Sequence, residues 1–154
     1  MSNARNLASL LGTSTTVPSA KVASYNTPIA YARNNGDQSL SATTWTNVNL
    51  GTEVLDTQNN FASSAFTVPT TGKYFIHGEV RCECNSPMDF SSMYVMITDD
   101  GTRIDGTEVD WVETHNDENK TVFSLDTTCV TTLTANHVIR LQVWANWGAG
   151  TLTV

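Results

Sequence analysis

Residues 72–84 read GKYFIHGEVRCEC, and along that run apolar and polar side chains largely alternate. Tyr74, Ile76, Val80, Cys82 and Cys84 fall on one phase, while His77, Glu79, Arg81 and Glu83 fall on the other. A period of two marks an extended chain, because successive side chains of a strand leave opposite faces of the sheet. A strand of this kind has one dry face and one wet face, so its apolar side needs a second layer to cover it.

Shorter alternating segments recur at 29–33, 45–50, 93–98, 108–113, 121–132, 138–145 and 151–154, with a weaker extended stretch at 54–66. Asn34-Asn35-Gly36-Asp37, Pro69 with Gly72, and Asn85-Ser86-Pro87 punctuate them as turns. Asp99-Asp100-Gly101 stands between two alternating segments and predicts a tight hairpin. No helical period interrupts the series, and about eight short strands spaced by turns predict an all-β sandwich or jelly roll.

The composition agrees. Apolar residues make up 40% and charged residues only 15%, so Thr, Ser and Asn carry much of the rest. With 8 basic against 15 acidic side chains and a net charge of −7, the chain is a poor phosphate binder, and direct contact with nucleic acid is not expected.

The first 27 residues break the pattern. Within SNARNLASLLGTSTTVPSAKVA, Ala4, Leu7, Ala8 and Leu11 form a helical stripe two turns long that stops at Gly12. Two turns are marginal alone, so such an arm is expected to order only by docking on a partner. Its apolar cluster is interrupted by Ser9 and is too short for a secretory leader. No run approaches the ~18 apolar residues of a membrane span. A soluble, unprocessed chain with no membrane partner is expected.

Candidate chemistry is sparse. Three cysteines, Cys82, Cys84 and Cys129, are an odd number for a secreted disulfide framework. Cys82 and Cys84 share one strand face, where they are badly placed to bridge each other, so free thiols in a reducing cytoplasm are expected. His77, His115 and His137 accompany no nucleophile elbow, zinc helix or phosphate loop. Carboxylates crowd residues 99–118: Asp99, Asp100, Asp105, Glu108, Asp110, Glu113, Asp117 and Glu118. Their spacing fits no EF-hand loop, and a solvated edge strand accounts for them more simply than calcium or paired catalytic acids. No catalytic residue, metal ligand or cofactor is assigned. Trp111, Trp144 and Trp147 are candidates for a sugar-binding surface; core packing is expected for Trp144, which lies in a strand, and Trp147, between Asn146 and Gly148, is the candidate glycan contact.

At Phe66 a family pattern begins. FTVPTTGKYFI, residues 66–76, resembles the signature strand of the C1q and tumour-necrosis-factor-like jelly rolls: an aromatic, five residues, then Gly-x-Tyr. Phe66, Gly72 and Tyr74 match it, and Phe61 stands where the family has another aromatic. TTLTANHVIRLQV, residues 131–143, resembles the later Leu-x-x-Gly-Asp-x-Val-x-Leu segment, with Asn136-His137 replacing Gly-Asp. Ile76 and Gly78 depart from the signature, which prefers aromatics there. In physical terms Pro69 and Gly72 shape the corner entering a central strand, and Phe66 and Tyr74 plug the sandwich.

The resemblance implies a jelly roll over 28–154 behind an arm at 1–27. It also implies a homotrimer held by apolar residues on the exposed face of the inner sheet. Tyr31, Phe75 and Phe123 are the candidates for that interface, with ordinary core packing as the alternative for each. The arm adds a second resemblance: ARNLASLLG followed by Thr, Ser and Val is similar to the beginnings of structural proteins of tailed phages. Together these imply a trimeric capsid decoration (cement) protein, assembled in the host cytoplasm and seated on the major capsid protein at the virion surface. Leu7, Leu10 and Leu11 would anchor the arm, with Arg5 and Lys21 meeting acidic neighbours. The alternative is a tail-fibre or receptor-binding tip that recognises host glycans. Such a tip would follow a shaft of repeats, and no repeat occurs in the sequence. An extracellular C1q-like recognition domain sits poorly with the odd thiol.

Overall fold

The computed structural model describes residues 28–84, 90–112, 122–148 and 150–154. The arm expected at 1–27, with Arg5, Leu7, Leu10, Leu11 and Lys21, the turn expected at Asn85-Ser86-Pro87, and Glu113, His115, Asp117 and Glu118 lie outside the described residues.

Twelve strands form among the described residues. They are β1 (Ala30–Arg33), β2 (Thr46–Asn47), β3 (Thr52–Asp56), β4 (Phe61–Ala62), β5 (Ala65–Thr67) and β6 (Gly72–Cys84), followed by β7 (Phe90–Asp99), β8 (Thr102–Arg103), β9 (Val109–Val112), β10 (Val122–Leu133), β11 (Val138–Trp147) and β12 (Leu152–Thr153). The weak stretch at 54–66 resolves into parts of β3, β4 and β5, which raises the strand number above the eight expected. Every pairing is antiparallel.

Two main sheets face each other. One has the order β10-β6-β12; the other runs β4-β5-β11-β7-β8, with β2 also on β11 and β9 also on β7. β1 and β3 make a separate two-stranded ribbon in which Val54 is a bulge, since Tyr31 opposes Leu55 and Ala32 opposes Glu53. Between the main sheets lies one core. Val80, Cys82, Cys84, Phe123, Leu133 and Leu152 enter it from the β6 side, and Met93, Val95, Ile97, Ile139, Leu141, Val143 and Ala145 from the β7 side.

The alternation at 72–84 becomes one thirteen-residue strand whose inner phase is buried or half-buried throughout. Gly78 departs from the family pattern for a packing reason. A Cβ there would stand 2.6 Å from Leu141 Cδ1 of the opposite sheet, so the missing side chain leaves the space Leu141 fills. Phe66 and Tyr74 meet edge to face at 6.2 Å between ring centroids, both packed on the core. The hairpin at Asp99-Asp100-Gly101 forms as expected. Asp99 pairs with Thr102, leaving Asp100 (φ 48°) and Gly101 (φ 80°) as a two-residue loop with both central φ values positive.

Strand β7 differs from its expected alternation: Val95, Met96, Ile97 and Thr98 are all buried. The strand is central, flanked by β11 on one edge and by β8 and β9 on the other. Thr107, itself fully buried, donates its hydroxyl to the Ile104 carbonyl (2.7 Å), while its oxygen receives the Ile97 N–H (3.2 Å). Thr127 of β10 donates to the Thr107 carbonyl at 2.7 Å, which ties that segment to the opposing sheet. Buried polar groups are tolerated here because each finds a partner.

Phe123 is a correction to the trimer-interface expectation. It is 7% exposed and stacks on Phe90 at 4.1 Å between centroids within the chain's own core, with Trp111 against it at 5.0 Å. Phe123, Leu125, Cys129 and Leu133 share one strand phase, and that phase is the dry one.

Candidate functional site

The outer face of the β6–β10 pair is a ladder of directly opposed residues: Lys73 with Thr132, Phe75 with Val130, His77 with Thr128, Glu79 with Asp126, Arg81 with Ser124 and Glu83 with Val122. All of these point away from the core and all are exposed. Phe75 is 72% exposed and Val130 69%, the two largest exposures among the large apolar side chains described. Their pairing is fixed by register, since neighbouring residues on one sheet face sit about 4.5–5.5 Å apart at Cβ. An aromatic and a β-branched residue side by side in water form a patch that binding another surface would dry.

Below the patch, His77 Nδ1 lies 2.9 Å from Thr128 Oγ1. An imidazole beside a hydroxyl invites comparison with a catalytic pair. Among the described residues no carboxylate orients the other ring nitrogen, and the pair stands on an open strand face, so it is a surface hydrogen bond. Next in the ladder, Glu79 and Asp126 oppose each other with like charge, which costs stability unless a cation joins them. Arg81 is turned to Glu83 (3.0 Å), and neither acid has an ion-pair partner among the described residues.

Tyr31 is on β1, away from that ladder, and is 56% exposed. It opposes Leu55 (46% exposed), with Ile29 and Val54 also open, so the ribbon carries a second apolar patch. Of the three residues expected at an interface, Phe75 and Tyr31 are therefore on the surface and Phe123 is not. Val130 and Leu55 were missed. Val130 stands on the otherwise polar phase of β10, which was the available signal. Trp147, the expected glycan contact, is half-buried against the core at the end of β11. Trp144, expected in the core, is instead half-buried on the opposite phase of β11 from Val143 and Ala145, where it meets Tyr94 edge to face at 5.3 Å.

The three cysteines are free thiols, Cys82 and Cys84 buried and Cys129 half-buried. Burial, helped by neighbouring Cys84, pushes the Cys82 thiol up to about 12. Burial also raises Cys84 and Cys129, so none has the depressed pKa of an activated nucleophile. Asp99, Asp100 and His137 bring possible metal-ligand atoms within 4.8 Å of one another. Their visible work is to join two turns: His137 Nδ1 meets Asp99 Oδ1 at 2.9 Å, and Asp100 Oδ1 accepts the Val138 N–H at 2.8 Å. No protein-family model matches the chain. No curated protein matches it either.

Proposed function

We propose that this chain is a trimeric jelly-roll decoration protein of a tailed-phage capsid, attached through its N-terminal arm to the major capsid protein. The observation that carries the reading is the Phe75–Val130 pair, an unpartnered apolar patch on the outer face of the β6–β10 sheet. That is the face by which a C1q-like jelly roll would assemble. The acidic sequence and thiols whose pKa values burial raises rather than lowers suit a binding role.

Trimerisation converts three weak arms into one strong attachment by effective concentration. Burying a leucine contributes about 1.5–3 kcal/mol, while ordering each arm residue costs about 1–2 kcal/mol, so one arm alone binds weakly. The test is co-sedimentation with undecorated capsids. Deleting residues 1–19 should abolish capsid binding while circular dichroism and sedimentation mass remain those of the intact trimer. Full occupancy by the truncated protein would place attachment on the sandwich and sink the arm's role.

A further inference from the structure

We propose that the outer face of β1 on one copy docks along the outer face of β6 on the next, with Arg33 seated between Glu79 and Asp126. This rests on the trimeric reading and names the contact that would build it.

The two faces match in spacing and in chemistry. Along β1 and the residue before it the exposed side chains are Ile29, Tyr31 and Arg33; along β6 they include Phe75, His77 and Glu79. Each set covers a four-residue step, about 13 Å of extended chain, so the two can run side by side in register. Laid together in the same direction, Ile29 meets the Phe75–Val130 patch. Tyr31 covers His77 and Thr128, and Arg33 reaches Glu79 and Asp126.

Charge decides the direction. Glu79 and Asp126 are exposed, opposed and unpaired among the described residues, and Arg33 is likewise exposed and unpaired there. A guanidinium presents several N–H donors and can bridge two carboxylates. Reversing the alignment would put Arg33 over Phe75 and leave the like-charged acids uncompensated. The ribbon has its own need for a cover: it pairs with neither main sheet, and two strands alone are marginal. Because the contact joins different surfaces of each copy, it is head-to-tail and generates a ring when the rotation closes.

A charge-swap cycle followed by sedimentation equilibrium tests the contact on the full chain. Arg33→Glu should raise the trimer dissociation constant at least about tenfold, and Glu79→Lys with Asp126→Lys should do the same. The combined triple variant should return to within about threefold of wild type, because the pairing is restored with signs exchanged. Arg33→Gln, which removes charge without introducing repulsion, should weaken assembly by a smaller factor and flatten its salt dependence. All the altered side chains are exposed, and far-UV circular dichroism checks that each variant folds. A wild-type trimer with Arg33→Glu unaffected, or with the triple variant no better than its parents, overturns this contact and leaves the trimeric reading standing. A wild-type monomer at high micromolar concentration overturns both.

Discussion

The two main sheets share one core but treat their outer faces differently. On the β7–β11 sheet, Met96 and Thr98 are buried on the phase that points away from the core centre, and Tyr94 packs on Trp144. On the β6–β10 sheet the equivalent phase is open along its whole length, with Phe75 and Val130 at its most exposed point. β7 is central, between β11 and the β8 and β9 strands, whereas only the short β12 joins β6 opposite β10. The comparison separates two kinds of apolar residue: those that hold the chain's own core together and those left exposed on its surface.

The strongest break should come from the closed sheet. Ile97 is 1% exposed in the core, so Ile97→Ala should destabilise the protomer by about 2–5 kcal/mol in urea titration, through lost burial and a residual cavity. A cost below about 1 kcal/mol would mean that β7 is less tightly packed than its burial indicates.

A smaller effect should expose the inner face of the open sheet, which is as dry as the closed one. Cys82 is 0% exposed and its thiol is raised from 9.0 to about 12. A raised pKa means that the stabilisation is complete below the unfolded value and is lost as pH rises toward the folded one. Between pH 9 and 12 the unfolded thiol ionises while the folded one stays protonated, so stability should fall by about 1.4 kcal/mol per pH unit from this group. Urea midpoints at pH 9 and pH 10.5 measure it, and Cys82→Ala should show a visibly shallower decline. Equal slopes would mean that water reaches this thiol.

The smallest effect on the protomer should come from the open face. Phe75→Ser should lower unfolding free energy by no more than about 1 kcal/mol at high dilution, the worth of its cross-strand pair with Val130. On the proposed trimeric reading, the same variant should lose assembly at higher concentration. A large loss of protomer stability instead would show that Phe75 supports its own chain.

The period of two in the sequence was enough to place β6 and β10, to assign the dry face of β6, and to find the Asp100-Gly101 turn, because alternation and turn chemistry are local properties of the backbone. It also held the answer for Phe123, whose phase partners Leu125, Cys129 and Leu133 point inward; reading Phe123 as a surface aromatic ignored that parity. The burial of both phases of β7 was not legible, because alternation says which side chains share a face but not whether a face is covered. Nor could Gly78 be explained from its neighbours, since the atom that requires it belongs to Leu141 of the opposing sheet. The sequence by itself determined which side chains share a strand face. Only the tertiary structure decided which faces meet, because register and layer contact join residues such as Phe75 and Val130, 55 positions apart, through pairings that no local pattern records.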